Sequence, residues 1–573
     1  MVHLYHGKGI GVCEGIVISK AFVIKKEELV FESHSRLSAQ EEAGRYNQAV
    51  EKFIEDTYAL AAKVEESAGP EQAMILEGHI LIVQDPEITA GVIAELESSP
   101  VSSEAAVALV FSMFAEIFAS MEDELMKERA HDLEDIKTRL IEILTGKVSR
   151  GIEDIEDECV IIARDMTPSE TGRIDKAVIK GIVTEMGGIT SHMAIMAKAM
   201  ELPTVLGIAD MLSNVETGDS IAINGGSGEV IVNPSDGELA RFRALIEEFD
   251  VYKRELEIYK TKESITLDGV RVEIAANIGG LQDMEAVLKN TAEGIGLFRT
   301  EFLFMERDSL PDEEAQFEVY KEVAEAMEGK PVIIRTLDIG GDKDVPYLDM
   351  DKEENPFLGY RAIRLCLGDK AMFNVQLRAL LRAGFYGNIK IMIPMITTVT
   401  ELRQTKKIIE ELKGELEEEG KPFNKNIEVG IMIETPASSL IADVLAKESD
   451  FFSIGTNDLT QYTMAVDRGN ERVQYLYSTF EPAVMRSIYN VIKAGKDAGI
   501  MVGMCGEGAG DVNMIPFLLG CGLDEFSMSA QSLLRARKAI CSLSKSEMEK
   551  EIDKILNMET REEIIDHLKT LAK

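Results

Sequence analysis

The chain has 573 residues, 45% of them hydrophobic, and 61 basic against 101 acidic side chains leave it a net charge of −40. Such a length suggests about four domains, and the apolar share excludes disorder as the dominant state. The acidic balance disfavours a nucleic-acid binder, which needs a basic face for phosphates, and suits a soluble partner with a basic surface.

Residues 1–32 read as short strands, because Gly7, Gly9, Gly11 and Gly15 punctuate apolar runs such as Gly15 to Ile18. The opening MVHLYHGKGIG lacks the apolar core of a signal peptide. Residues 33–147 change character. Gly and Pro become scarce, and apolar residues recur at helical spacing, as in Leu125, Ala130, Leu133, Ile136 and Leu140. That pattern predicts a helical bundle. Between residues 31 and 147 stand 24 acidic and 9 basic side chains, a net of −15, either a solvated surface or a docking face for a basic protein. Its most apolar stretch, Val107 to Ala119, is broken by Glu116, so no membrane span is predicted.

The strand pattern returns over 148–234, at Cys159–Ala163, Ile179–Thr184, Ile221–Ile223 and Glu229–Val232. The bundle is therefore expected to be inserted into an α/β domain built from both flanks. Residues 235–262 are charged and helix-prone, a linker helix and a candidate hinge. Residues 263–573 repeat one theme, an apolar run ending in polar or Gly residues and followed by a helical stretch. The runs are Val272–Asn277, Gly294–Arg299, Val332–Thr336, Ile389–Pro394, Val429–Glu434, Phe451–Gly455, Met501–Cys505 and Glu525–Met528. Eight such units predict a (β/α)8 barrel, whose chemistry sits at the C-terminal strand ends. The fold class expected is α/β multidomain. The six cysteines (13, 159, 366, 505, 521, 541) form no CxxC pair, which points to a reducing cytoplasm.

The barrel's strand ends carry Arg299 and Glu301, Arg335 and Asp338, Glu434, Asn457 and Asp458, Arg468 and Cys505, with Arg361 after the third strand. Guanidinium groups bind phosphate and carboxylate bidentately. Glu434 and Asp458 could hold one hard divalent cation, most simply Mg2+. The implied ligand is a small, multiply anionic phospho-compound. Each arginine alone could equally be a surface ion pair, each carboxylate a buried hydrogen-bonding group. Cys505 is either a core thiol or a proton donor. In the N-terminal half, a strand leads into Met186-Gly187-Gly188-Ile189-Thr190-Ser191-His192. Thr190 or Ser191 can cap a helix starting near His192, whose free N–H groups would favour an anion. His192 there could carry a phosphoryl group, or merely cap or pack.

These residues resemble a known family. GGITSHMAIMAKAMELP, GIGLFRTEFLFM, PVIIRTLDIGGDK, SIGTNDLTQYTMAVDRGNERV, GMCGEGAGD and DEFSMSA are similar to motifs of Enzyme I, the phosphoenolpyruvate-protein phosphotransferase family of the bacterial sugar phosphotransferase system, and they run in one order along the whole chain. The resemblance implies that phosphoenolpyruvate and Mg2+ bind at the barrel mouth, that His192 takes the phosphoryl group and releases pyruvate, and that it donates to the phosphocarrier protein HPr docked on the bundle, the first step of sugar uptake. Thr171 would orient the nucleophile. Arg299, Arg335, Asn457 and Arg468 would bind substrate, Glu434 and Asp458 the metal, and Cys505 would protonate the enolate carbon. A homodimer through the barrel is implied as well. Because His192 and the barrel belong to different domains, a large swivel about 235–262 is expected.

The loop departs from the family pattern at Ile189, where Arg or Lys is common, at Met193, where Thr or Ser is common, and at Lys198, where Arg is usual. These departures leave open a catalytically weakened regulatory paralogue or phospho-signalling scaffold. Pyruvate phosphate dikinase and phosphoenolpyruvate synthase share the loop and barrel, but need a nucleotide-binding domain for which no P-loop motif is present.

Overall fold

Near-continuous apolar runs, which suit strands covered on both faces, build the central sheet of the N-terminal half. In the computed structural model, which describes residues 4–24, 31–68, 70–120, 124–146, 152, 155, 157–188, 192–200, 202–305, 307, 309–340, 345–348, 353–468, 470 and 472–572, the chain divides into two units, Met1–Lys253 and Arg254–Lys573. The first unit holds β1 (Tyr5–Lys8), β2 (Ile10–Cys13), β3 (Ile16–Val23), β4 (Cys159–Ala163), β5 (Ile179–Thr184), β6 (Thr204–Leu206), β7 (Ser220–Asn224) and β8 (Glu229–Val232). They form one sheet in the order β1-β8-β7-β3-β4-β5-β6-β2. Its centre, from β3 to β6, is parallel, and the remaining pairs are antiparallel.

β3 and β4 are neighbours, with Lys20 opposite Cys159, although 135 residues separate them in sequence. That stretch makes α1 (Ala39–Ala68), α2 (Pro70–Val83), α3 (Pro86–Ser98), α4 (Ser103–Ala119) and α5 (Glu124–Thr145). Leu133, Ile136 and Leu140, three and four residues apart, are buried with Tyr46, Phe53, Val107 and Phe111 in one core. The side chain of Leu125 lies outside the described residues. Cutting a ring such as Phe111 back to Ala would cost about 3–5 kcal/mol. Local signals start the helices. The Asp85 carboxylate accepts from the Glu87 N–H at 2.7 Å, with Pro86 as first helical residue, and Ser102 Oγ accepts from the Ala105 N–H at 3.2 Å. Two short helices follow, α6 (Pro168–Gly172) and α7 (His192–Ala199), and then α8 (Asp236–Ile258). Phe242 of α8 is buried against Ala222 and Ile231, and Arg241 pairs with Glu229 at 2.6 Å.

The second unit is built on β9 (Glu273–Ile278), β10 (Gly294–Arg299), β11 (Val332–Arg335), β12 (Ile389–Ile393), β13 (Glu428–Ile433), β14 (Phe451–Ile454), β15 (Met501–Met504) and β16 (Glu525–Met528). All pair in parallel, and β16 closes on β9 to complete a barrel. Helices connect the strands. The barrel interior is filled by Leu297, Ile333, Met392, Met432, Phe451 and Cys505. The predicted strands agree with these to within one or two residues. The difference is systematic: Glu434, Gly455 and Cys505 stand just past the last ladder residue, where the chain is leaving the sheet and side chains can face the barrel mouth.

Candidate active site

The segment predicted to carry the nucleophile is preceded by α6. Thr167 caps it reciprocally: its Oγ1 accepts from the Glu170 N–H at 3.3 Å, and the Glu170 carboxylate accepts from the Thr167 N–H at 2.8 Å. Thr171, buried on this helix, donates its hydroxyl proton to the Thr167 carbonyl at 2.8 Å. Its lone pairs are therefore what it offers a neighbouring N–H. Met193 Sδ stands 3.9 Å from that hydroxyl, so one of the three loop residues expected to differ from the family pattern lies beside Thr171. Gly187 takes φ +105°, which favours glycine, and the chain then enters α7, whose first residue is His192. Ile189, Thr190, Ser191 and the side chain of His192 lie outside the described residues. Lys198 is exposed in the last turn of α7, where a cation suits the helix dipole.

At the barrel mouth the structure brings most of the predicted residues together. Arg299 and Arg335 end neighbouring strands and are register partners. Arg335 is buried, hydrogen-bonded to Glu301 and paired through Nη1 with Asp338 Oδ2 at 3.0 Å. Arg361 Nη2 bonds Asp338 Oδ1 at 2.8 Å and reaches Asp458 Oδ2 at 3.4 Å. Arg468 Nη1 lies 3.5 Å from Asp458 Oδ1. Asn457 adjoins Asp458 in the helix after β14, and its carbonyl accepts from Tyr477 at 3.3 Å. The sequence pointed to Arg361, Glu301 and Asp338 without giving them a role. Their role is visible only here, as one guanidinium and two carboxylates that hold the other charges in place. Arg361 was legible as a third arginine, whereas only the pairing distances show that Asp338 holds both Arg335 and Arg361 while Glu301 holds Arg335 alone.

Glu434 is 2% exposed, and its Oε1 accepts from the Met395 N–H at 2.6 Å. Met395 has φ +56°, a strained conformation for a side-chain-bearing residue, costing of order 1–3 kcal/mol. Burial first, then repulsion from Asp458 and Asp338, pushes the Glu434 carboxyl up to about 8, against the pull of Arg335. Burial likewise pushes the Cys505 thiol up to about 11, so the sulfur keeps its proton at neutral pH. Among the described residues no group of three or more His, Cys, Asp or Glu side chains could hold a metal. The two carboxylates predicted as ligands suit an ion that fills its shell with water and substrate oxygens, as Mg2+ does. Opposite charge there would relieve the repulsion that raises Glu434.

Comparison with known proteins accords with this geometry. Residues 253–545 match the model of the PEP-binding domain of PEP-utilising enzymes, residues 8–129 their N-terminal domain and residues 155–228 their mobile domain. A barrel with arginines at its mouth, joined to a mobile-domain sheet, defines a phosphoenolpyruvate-utilising enzyme. The chain is 47% identical to the phosphoenolpyruvate-protein phosphotransferase of Priestia megaterium, over 98% of each chain. It is 45% identical to that of Staphylococcus carnosus (strain TM300), over 99% of each, and 44% identical to that of Listeria innocua, over 98% of each. The chain belongs to the phosphoenolpyruvate-protein phosphotransferase family and is a phosphotransferase. Among the described residues, no helix is long and apolar enough to cross a membrane.

Proposed function

We propose that the protein transfers the phosphoryl group of phosphoenolpyruvate to its own His192 and from there to a histidine of HPr, releasing pyruvate, as the first step of sugar uptake in the cytoplasm. The observation that carries this is the barrel mouth, where the buried Arg335 and Arg361 are held by Glu301, Asp338 and Asp458, and Arg468 lies 3.5 Å from Asp458. Arg299, Arg335 and Arg468, assisted by Asn457, would bind the substrate phosphate and carboxylate. A phosphoryl transition state spreads negative charge over its oxygens, so prepositioned cations lower the barrier. Glu434 and Asp458 would hold Mg2+, which when bound neutralises phosphate charge. The enolate left by transfer takes a proton at carbon from the neutral Cys505 thiol. Thr171 would orient the imidazole of His192 as hydrogen-bond acceptor.

The bundle would dock HPr. Leu109, Met113 and Ile117, spaced by four residues on α4, are exposed, as is Leu81 on α2. Such an apolar stripe within an acidic domain suits a basic-rimmed partner. One histidine has to meet phosphoenolpyruvate in the barrel and HPr in turn, which requires a swivel about residues 235–262. A homodimer through the barrel unit completes the proposal. The test is labelling with radioactive phosphoenolpyruvate and Mg2+, comparing the protein with His192→Ala. Acid-labile, alkali-stable label absent from the variant is the expected result. No label in the unmodified protein would overturn it and favour a regulatory scaffold that has lost turnover.

A further inference from the structure

Below the substrate end of the barrel lies a polar group with no part in the steps above. Glu525, the first residue of β16, is 1% exposed, and neither of its carboxylate oxygens has a hydrogen-bond partner among the described residues. Glu273 lies opposite it on β9, and its Oε1 is unpartnered too. Glycines make room for both: a Cβ on Gly296 would stand 2.5 Å from Glu525 Oε1, one on Gly503 2.8 Å from it, and one on Gly294 2.6 Å from Glu273 Oε1. Glu525 is the register partner of Gly503, two residues before Cys505. Two strand residues span about 6.6 Å, so the carboxyl lies one interior layer beneath the thiol.

Hydroxyls occupy the same space. The Cβ missing from Gly296 would also touch Ser527 Oγ, at 2.4 Å. Ser527 donates to Asn277 Oδ1 at 2.6 Å, and Asn277 Nδ2 donates to the Cys505 carbonyl at 2.8 Å. Ser453 lies against the thiol. Burial, with Glu273 and Asp524 adding and Lys390 opposing, pushes the Glu525 carboxyl up to about 8. It holds a proton at neutral pH, and a thiolate whose acid lies near 11 is the stronger base.

We propose that Glu525 returns the proton that Cys505 gives up in each turnover, fed along the barrel interior from the side of Glu273 and Lys390. This rests on Cys505 being the donor to the enolate. When the thiol acts, its S–H bond breaks as a C–H bond forms on the enolate, and the electron pair stays on sulfur. The Glu525 O–H bond then breaks, and its proton, passed by a serine hydroxyl or a water, makes the new S–H bond while the pair stays on the carboxylate. Glu525 regains a proton from the Glu273 end and finally from solvent, one per pyruvate formed. Glu525 acts through Cys505 and touches no substrate.

The experiment is rapid-quench measurement of pyruvate from the full-length protein with Mg2+, phosphoenolpyruvate and excess HPr. Glu525→Gln should form its first pyruvate per site at the unmodified rate and then slow by about tenfold or more. Glu525→Asp should recover most of the later rate. A merely structural role would slow the first and later turnovers alike, and that result, or later turnovers at full speed, would overturn the proposal. If Glu525→Gln does not fold, Glu273→Gln carries the same comparison with a smaller slowing. Cys505→Ala separates the two levels of the argument. A full-speed first pyruvate in that variant removes Cys505 as donor, whereas a slow Cys505→Ala beside a normal Glu525→Gln removes only the relay.

Discussion

At the scale of single residues, the buried charges of the candidate site, Arg335, Arg361 and Asp338, each meet an opposite charge. Asp338 holds Arg335 at 3.0 Å and Arg361 at 2.8 Å. Asp338→Ala should therefore destabilise the barrel by about 3–5 kcal/mol, since removing one partner of a buried pair leaves the others uncompensated; urea unfolding would measure it. Arg335→Lys keeps the charge but loses the planar fork shared with Glu301 and Asp338. Its kcat/KM for phosphoenolpyruvate should fall roughly tenfold to a hundredfold, at about 1.4 kcal/mol per factor of ten. Glu525 adds a pH dependence. Its folded carboxyl, raised to about 8, binds a proton more tightly than in the unfolded chain, where glutamate ionises near pH 4.3. Its contribution to stability is complete below that lower value and is lost as pH rises to about 8, a few kcal/mol in all. Unfolding free energies from about pH 5 to 9 should fall less steeply in Glu525→Gln; parallel curves would contradict this.

At the scale of elements, local sequence sets where helices begin and therefore where functional side chains stand. The reciprocal cap of Thr167 and Glu170 fixes the five-residue α6 that carries Thr171. Thr167→Ala should cost about 1 kcal/mol and slow phosphorylation of His192 more than it weakens phosphoenolpyruvate binding; single-turnover labelling at several substrate concentrations separates the two. On α4, the exposed Leu109, Met113 and Ile117 contribute little to the bundle core. Met113→Glu should leave melting and labelling of the protein nearly unchanged while slowing transfer to HPr by about tenfold. Equal loss of both steps would argue against docking on this face.

At the scale of the whole molecule, a net charge of −40 would make encounter with the proposed basic-surfaced carrier sensitive to salt. Raising ionic strength from about 0.05 to 0.5 M shortens the screening length to a few ångströms. Transfer to HPr should then slow severalfold while labelling by phosphoenolpyruvate changes less; stopped-flow transfer rates would show it. An engineered crosslink between the two units should block repeated turnover if the swivel is required, and full activity in the crosslinked protein would exclude it.

The sequence by itself determined the order of elements. Leu133, Ile136 and Leu140 repeat at helical spacing and are buried together, while eight apolar runs with polar ends mark eight strands that close into a barrel. These are local signals, written in periodicity and turn residues, and the charged strand ends were legible for the same reason. Only the tertiary structure decided which charges meet. Closure of the barrel sets Asp338 between Arg335 and Arg361, turns the Met395 N–H onto Glu434, and seals Glu525 beneath Cys505 with no hydrogen-bond partner among the described residues. Apart from the Arg335–Asp338 pair, three residues apart, these contacts join residues tens of positions or more apart, and the environment that pushes a buried carboxyl toward neutrality exists only once the strands have closed around it.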